Sequence, residues 1–147
     1  MDSTISMIEK DQFLVCLDNE ILFKAFLEEC KLAWCVENLL FYKTVQEFHE
    51  SYPSKTVEEN LARAKEIYED FIKVESNLEV NLDDSQRELI ALMLSPESIH
   101  ENIFHESALT VYNMLRYGVF KEWSATKTFN LLYDQNASRT SESFSRS

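Results

Sequence analysis

The stretch that decides the fold is residues 37–42, Glu-Asn-Leu-Leu-Phe-Tyr, together with a second stretch at residues 79–83, Glu-Val-Asn-Leu-Asp. Each combines polar side chains suited to a surface with apolar side chains suited to a core. The first opens a helical pattern, because Phe41, Val45, Phe48 and Tyr52 recur at steps of four, three and four and so share one helix face. These features predict a long helix with one buried face and polar residues in its first turn.

The chain around these stretches has the composition of an all-α domain. Its 147 residues contain one glycine and two prolines, too few for the many turns of an all-β domain of this length. Hydrophobic residues make up 45% of the chain, enough for a sizeable core in one domain. We predict a bundle of about eight or nine helices joined by short connections.

Polar side chains mark where several helices begin. Asn19, Thr56 and Asp83 are each expected to cap the helix that follows, and Thr56 does so as part of a capping box. Residues 76–82 are predicted to form the connection that precedes the Asp83 cap. Because this connection is not rich in glycine, we expect its apolar side chains to hold it against the core.

Two residues mark where helices end. Pro53 is expected to stop the long helix after residue 51, since the residue before a proline is pushed out of the helical region. Gly118, the only glycine, is expected to form a left-handed cap after the helix that precedes it. In the helix that follows the connection, Leu89, Leu92 and Met93 are expected to be buried.

The formal net charge of −12 restricts the partners of the chain. Nucleic acid is excluded, because phosphate binding needs a clustered positive surface, and docking on anionic lipid is disfavoured for the same reason. No stretch approaches about 18 apolar residues, so we expect no transmembrane helix and no direct membrane insertion. The three cysteines, Cys16, Cys30 and Cys35, match neither a disulfide framework nor a zinc spacing, so we expect an intracellular, reducing setting.

The candidate chemical motifs fail on their spacing. His100 and His105 are five residues apart, whereas a zinc-protease helix needs histidines four apart on one face. Glu97 and His100 have the spacing of helical di-metal sites, but the chain has no second copy. Cys35 has no histidine near it in sequence to activate a thiolate, and one glycine cannot form a phosphate loop. We therefore expect no metal, no cofactor and no catalytic residue.

The polar residues of the two stretches also have ordinary structural explanations. Glu37 and Asn38 suit the first turn of a helix, where the helix dipole favours a carboxylate. Asn81 suits a loop in which it bonds to its own backbone, and Asp83 suits an N-cap. Taken singly, these residues leave both a structural and a functional interpretation open.

Across the chain, apolar and polar positions form blocks in a definite order. The blocks are Phe23, Phe26, Leu27 and Cys30; Glu37, Asn38, Leu39 and Phe41; Ala64, Ile67, Tyr68, Phe71 and Ile72; Glu79, Val80, Asn81 and Leu82; Phe104 and Ala108; Val111, Tyr112, Asn113 and Leu115; and Phe120 with Trp123. In order and spacing, residues 11–134 resemble the regulator of G-protein signalling (RGS) domain. The resemblance implies an all-α fold of about nine helices with an antiparallel four-helix subdomain and a subdomain of terminal helices. Residues 1–10 are then an N-terminal extension, and residues 135–147 a Ser-rich disordered tail.

The resemblance also implies a function that involves no enzyme activity of the chain's own. RGS domains bind the GTP-bound α subunit (Gα) of heterotrimeric G proteins and accelerate its GTP hydrolysis by holding the switch segments in their transition-state arrangement. The implied partner is GTP-bound Gα, bound by a cytoplasmic monomer that is recruited through it to the inner face of the membrane. The implied Gα-binding residues are Trp34, Cys35, Glu37, Asn38, Asn81, Asp83, Met114, Gly118 and Glu122.

Not every residue of that set follows the family pattern. Asn81 matches the loop asparagine that approaches the switch threonine and the catalytic glutamine of Gα, and Met114 stands where leucine is usual. Cys35, Gly118 and Glu122 stand where serine, aspartate and arginine are usual. Loss of the aspartate removes an acceptor for the switch backbone, and Glu122 inverts a charge. The alternative is therefore an RGS-homology docking or scaffold module of a larger signalling protein, with weak or no GTPase-activating activity.

Overall fold

The computed structural model describes residues 12–137, and this range is all-α with no strand. Its eight α-helices are α1 (Gln12–Asp18), α2 (Glu20–Leu32), α3 (Val36–Ser51), α4 (Val57–Ile67), α5 (Asp84–Leu92), α6 (His105–Tyr117), α7 (Val119–Ser124) and α8 (Lys127–Asn136). A 3-10 turn, Tyr52–Ser54, follows α3, and a π-helical segment, Tyr68–Ile72, continues α4. The predicted all-α fold is confirmed, whereas a count of nine helices is not confirmed within these residues.

The described residues divide into two compact units. The central unit is Val36–Met114 and contains α3, α4, α5 and most of α6. The terminal unit combines the described residues up to Cys35 with those from Leu115 onward, and contains α1, α2, α7 and α8. Of the helices placed between residues 12 and 137, none combines the length and the apolar character that a bilayer crossing requires.

A cluster of aromatic rings forms the core of the terminal unit. Phe26 of α2 stacks on Trp123 of α7 with ring centroids 5.6 Å apart, and the ring of Phe13 in α1 lies 4.7 Å from that of Phe120. Phe129 of α8 completes the cluster, with its ring centroid 4.8 Å from that of Trp123. All five side chains are buried. Since each ring removes a large apolar area from water, the cluster stabilises the packing of four helices.

The core of the central unit is built on the predicted face of α3. The ring centroid of Phe41 lies 5.5 Å from that of Phe71, and the ring centroid of Phe48 lies 5.4 Å from that of Phe104. Phe41, Val45 and Phe48 are all buried. The helix face predicted from these three residues is therefore confirmed, and so is the end of the helix at residue 51. Tyr52, the fourth residue of the predicted stripe, is half-buried in the turn that follows the helix.

The helix boundaries of the central unit follow the predicted signals. The N–H of Glu59 donates to Thr56 Oγ1 at 3.1 Å and the N–H of Thr56 donates to Glu59 Oε1 at 2.9 Å, which completes the capping box of α4. The N–H of Gln86 donates to Asp83 Oδ1 at 2.9 Å and caps α5. Pro53 stands in the 3-10 turn directly after α3 ends.

A pair of buried asparagines ties together the two ends of the terminal unit. Asn19 caps α2, because its Oδ1 accepts from the N–H of Leu22 at 2.9 Å, and its Nδ2 donates to the carbonyl of Asn136 at 3.0 Å. Asn136 in turn donates from its Nδ2 to the carbonyl of Leu132 at 2.8 Å. The predicted Asn19 cap is confirmed, and one side chain joins the start of α2 to the last residue of α8.

The last helix runs slightly past the predicted start of the tail. The tail was expected to begin at residue 135, whereas α8 continues through Asn136, whose carbonyl accepts from Asn19. The rest of the predicted tail, residues 138–147, and the predicted extension, residues 1–10, lie outside the described residues.

The prediction that Gly118 forms a left-handed cap is wrong. Its φ is −105°, and the residues with positive φ in the described range are Trp34 and Glu75. The reason is that α7 starts directly after α6, so Gly118 precedes a helix instead of closing one, and its carbonyl accepts from the N–H of Glu122 at 3.2 Å.

The predicted buried face of α5 is also wrong. Leu89 and Leu92 are 49% and 78% exposed and Met93 is half-buried, whereas Ile90 is buried. The inward face of the helix is shared by Ile90 and Arg87, which lie three residues apart and therefore on one side. Because an arginine occupies that side, the leucines are rotated toward solvent.

We expect Asn19→Ala to destabilise the chain by about 1–3 kcal/mol, because it removes an N-cap and leaves the buried carbonyl of Asn136 without its donor. Urea unfolding followed by circular dichroism measures the change. Asn113→Ala, on the exposed side of α6, is the control and should stay within about 0.5 kcal/mol of the parent. Equal stability of both variants would contradict the role given to Asn19.

Candidate functional site

Asn81 is presented on a loop that is anchored on both sides of it. The side chains of Val80 and Leu82 are buried, whereas Asn81 between them is exposed. The N–H of Leu82 donates to the carbonyl of Val80 at 3.1 Å, so the backbone makes a three-residue turn centred on Asn81. The predicted anchoring of this connection by its apolar side chains is confirmed, and it directs the asparagine side chain outward.

The π-helical segment provides the surface to which this loop is bound. At its end the N–H of Lys73 donates to the carbonyl of Tyr68, five residues back, at 2.9 Å. The last carbonyls of a helix have no partner within it. Here the carbonyl of Asp70 accepts from the N–H of Leu78 at 3.1 Å, and that of Phe71 accepts from the N–H of Val80 at 2.9 Å. The loop is therefore bound to the helix by main-chain hydrogen bonds.

Arg87 of α5 makes the most extensive set of contacts to this loop. Its Nε donates to the carbonyl of Ile72 at 2.8 Å, and its Nη1 donates to the carbonyl of Leu82 at 2.9 Å. Its Nη2 donates to the carbonyl of Val80 and to Glu79 Oε2, both at 2.9 Å. The Arg87 side chain is only 12% exposed. One guanidinium thus connects the helix end, the loop and an acidic side chain.

The sequence contained a signal for Arg87 that our interpretation missed. An arginine in phase with Ile90 stands on the apolar stripe of α5, where a charged side chain is costly unless it is paired and hydrogen-bonded. A charged residue on such a stripe indicates a buried network, whereas the predicted buried stripe was that of Leu89 and Leu92.

The carboxylate of Asp83 lies at the exposed start of α5. The N–H of Gln86 and the hydroxyl of Ser85 donate to its Oδ1 at 2.9 Å and 2.8 Å. These two donors, the backbone one first, hold the pKa of Asp83 below its usual range, and the charge of Arg87 acts in the same direction. Asp83 therefore stays ionised at neutral pH. The same carboxylate caps α5 and places a negative charge on the surface.

Asn38 lies in the first turn of α3 beside the half-buried Glu37. Asn38 itself is buried, and its Oδ1 has no hydrogen-bond partner within residues 12–137. A buried acceptor without a donor costs about 1–3 kcal/mol. The first turn of α3 thus contains an acceptor that the described part of the chain does not satisfy.

The turn between α2 and α3 places a tryptophan in an unusual backbone conformation. Trp34 has a φ of 58°, its N–H donates to the carbonyl of Lys31 at 3.2 Å, and the N–H of Cys35 donates to the carbonyl of Cys30 at 3.0 Å. This bond pair is the Schellman motif, in which glycine is the usual left-handed residue. The Trp34 side chain is 90% exposed and Cys35 is half-buried. No glycine stands at this position, so no sequence pattern predicts the conformation.

The remaining predicted site residues lie on and after α6. Met114 is half-buried in α6, whereas Gly118 and Glu122 are exposed at the start of α7. No group of three or more histidine, cysteine, aspartate or glutamate side chains suited to a metal ion occurs between residues 12 and 137. His100 lies in a turn, where its Nδ1 accepts from the N–H of Asn102 at 3.2 Å.

The family model for the regulator of G protein signaling domain matches residues 12–132. The chain belongs to the RGS family. It is similar to Regulator of G-protein signaling rgs-1 of Caenorhabditis elegans, with 33% identity over 92 residues, covering 63% of this chain and 43% of that protein. It is also similar to Regulator of G-protein signaling 19 of Rattus norvegicus, with 29% identity over 121 residues, covering 82% of this chain and 52% of that protein. A third relative is Regulator of G-protein signaling 20 of Bos taurus, with 34% identity over 91 residues, covering 62% of this chain and 23% of that protein. The chain spans about half of the length of these relatives, or less.

The nine predicted Gα-binding residues of this RGS domain fall into two groups. Glu37, Asn38, Asn81, Asp83 and Met114 belong to the central unit. The other members are in the terminal unit: Trp34, Cys35, Gly118 and Glu122. The assignment of the whole set to Gα binding stays a prediction.

Replacing Trp34 by glycine tests whether its conformation is costly. A non-glycine residue in the left-handed region costs the folded state about 1–2 kcal/mol, and glycine removes that cost. Glycine also has greater conformational freedom in the unfolded chain, which cancels part of the gain in stability. Because the side chain is 90% exposed, little packing is lost. We expect the free energy of unfolding of Trp34→Gly, measured in urea, to equal that of the parent or to exceed it by up to about 1 kcal/mol. Trp123→Ala, in the aromatic core, should instead lose about 3–5 kcal/mol.

The lowered pKa of Asp83 predicts how stability depends on pH. Its folded-state pKa lies below the unfolded value of about 3.9, so the stabilisation is complete above that value and is lost as pH falls through the folded pKa. Asp83→Asn keeps an acceptor at the cap but cannot titrate. The difference in unfolding free energy between parent and Asp83→Asn should therefore be constant above about pH 5 and shrink toward pH 2. Asp134→Asn, exposed in α8, is the control for loss of one carboxylate.

Proposed function

We propose that this RGS domain binds GTP-bound Gα and accelerates the hydrolysis of its GTP, and so terminates the signal. The observation that carries the proposal is the anchored, outward-facing Asn81. Its neighbours are buried, and their backbone groups are held by the π-helical segment and by Arg87. A polar side chain on so constrained a loop is suited to recognition, because little conformational freedom is lost when it binds.

The proposed mechanism requires no catalytic group from this chain. A Gα subunit carries an arginine that stabilises the transition state and a glutamine that orients the attacking water. The domain contributes by binding the transition-state arrangement of the switch segments more tightly than the ground state. A hundredfold acceleration requires a preference of only about 2.7 kcal/mol. One or two well-placed hydrogen bonds from the exposed Asn81 side chain to the switch segments supply a preference of that size.

One further feature of the site residues supports a binding role. Trp34 has a positive φ with its side chain almost fully exposed. This backbone conformation costs the isolated domain stability. Strained conformations of this kind cluster at functional sites.

The departures from the family pattern favour one alternative. Gly118 has no side chain to accept a hydrogen bond, and Glu122 places an exposed negative charge where the family usually has a positive one. Each unpaired charge at an interface costs about 2–5 kcal/mol. The second candidate is therefore an RGS-homology docking or scaffold module that binds its partner with weak or no GTPase activation.

We propose a monomer whose RGS domain covers residues 11–134. The partner, GTP-bound Gα, recruits it from the cytoplasm to the inner face of the membrane. Its net charge of −12 directs it toward basic patches on a protein partner.

Single-turnover GTP hydrolysis by Gα subunits, with and without this chain, tests the activation. We expect the parent to accelerate hydrolysis by about 100-fold, and Asn81→Ala to lose about 10- to 100-fold of that acceleration. Asn102→Ala, in an exposed turn of the same unit, is the matched control and should behave as the parent. Acceleration that is equal with and without the Asn81 side chain would contradict the mechanism.

Binding to the aluminium-fluoride form of Gα separates the two candidate functions. Affinity for that form together with acceleration supports activation, and affinity without acceleration supports the docking module. Trp34→Gly is a useful probe here, because its expected stability is at least that of the parent. A weaker complex with this variant is therefore attributable to the interface and not to unfolding.

A further inference from the structure

We infer that Arg87 is a positioning residue, which fixes the conformation of the loop so that Asn81 is presented to Gα. The inference rests on the proposed function and adds to it a residue that is not in the predicted contact set. Arg87 has a side chain that is 12% exposed, and its four hydrogen bonds are directed into the chain. It is therefore a poor candidate for direct contact with a partner.

Arg87 binds the backbone on both sides of Asn81. The carbonyl before Asn81, that of Val80, and the carbonyl after it, that of Leu82, each accept a hydrogen bond from the same guanidinium at 2.9 Å. The N–H of Leu82 donates to the same Val80 carbonyl. The carbonyls of the residues on either side of Asn81 are thus both held by one rigid, planar group, which restricts the direction of the Asn81 side chain.

Glu79 extends this network to the start of the loop. Its Oε2 accepts from Arg87 Nη2 at 2.9 Å, and its Oε1 accepts from the N–H of Glu75 at 3.0 Å. Glu75 has a φ of 70°, in the turn that reverses the chain after the π-helical segment. The carboxylate therefore both compensates the partly buried charge of Arg87 and stabilises the turn that leads to Asn81.

Lysine cannot reproduce these contacts. Arginine has five N–H donors in a planar fork, whereas lysine has three donors on one atom at the end of a flexible chain. Three different nitrogens of Arg87 are used, and they reach carbonyls on both sides of the loop turn. A lysine keeps the charge and the pairing with Glu79, but it leaves carbonyls of the loop without donors.

The test is a double-mutant cycle between Arg87→Lys and Asn81→Ala, measured as the maximal single-turnover acceleration of Gα GTP hydrolysis. Misplacement of a contact by about 1 Å can cost on the order of 100-fold. We expect Arg87→Lys to lower the acceleration by about 10- to 100-fold in the parent, and by less than about twofold in the Asn81→Ala background. Arg63→Lys, on the exposed side of α4 with Glu66 at 3.5 Å, is the matched control. An equal loss in both backgrounds would overturn the inference, since the arginine would then act independently of Asn81.

Amide hydrogen exchange provides a readout that does not involve Gα. We expect protection of the Val80 and Leu82 amides to fall by about tenfold or more in Arg87→Lys and to be unchanged in Asn81→Ala and Arg63→Lys. Unchanged protection in Arg87→Lys would overturn the positioning role, whatever the outcome with Gα. If the parent accelerates no Gα, the proposed function fails on its own, and reduced protection still supports the role of Arg87 in holding the loop. Circular dichroism confirms that each variant is folded, and Arg87→Gln replaces Arg87→Lys if the lysine variant is not.

Discussion

The hydrogen bonds of the Arg87 guanidinium are the interaction on which the candidate site depends. A loop that exposes a polar side chain needs partners for its backbone carbonyls, and it has no regular secondary structure to supply them. In this chain the π-helical segment binds the amides of Leu78 and Val80, and Arg87 binds the carbonyls of Val80 and Leu82. The burial of the charge is compensated by Glu79. A partly buried ion pair of this kind is weak support for overall stability, and its clearer effect is to select one conformation of the loop.

Local signals were sufficient to predict much of the fold. The spacing of Phe41, Val45 and Phe48 predicted the buried face of α3, because a single apolar stripe admits one helix phase, and Pro53 predicted where the helix ends. Thr56 and Asp83 were correctly predicted as caps, since a cap depends on atoms only three residues away. These predictions required no knowledge of contacts between distant parts of the chain.

The errors arose where the outcome depends on distant contacts. In α5 either of two helix faces could be buried, that of Leu89 and Leu92 or that of Arg87 and Ile90. A face of leucines is the usual buried one. The stripe of Arg87 and Ile90 is inward because the carbonyls of the loop require a donor, which no local pattern shows. The prediction for Gly118 was wrong because a glycine between two helices can end the first helix or precede the second. The conformation of Trp34 has no sequence signal, since tryptophan rarely adopts a positive φ. For the candidate site, the anchoring of the Asn81 loop by its apolar side chains was predicted. The role of Arg87 in holding that loop was not.

The hydrogen bond between Asn19 and Asn136 has a consequence for where this domain should be considered to end. The match to the family model ends at residue 132, four positions before the carbonyl that Asn19 binds. A fragment cut at the end of that match would keep every matched position and still lose the partner of a buried amide. The extent of a family match and the extent of the chain that packs with it are therefore different quantities, and a truncation is better placed after residue 136 than after residue 132.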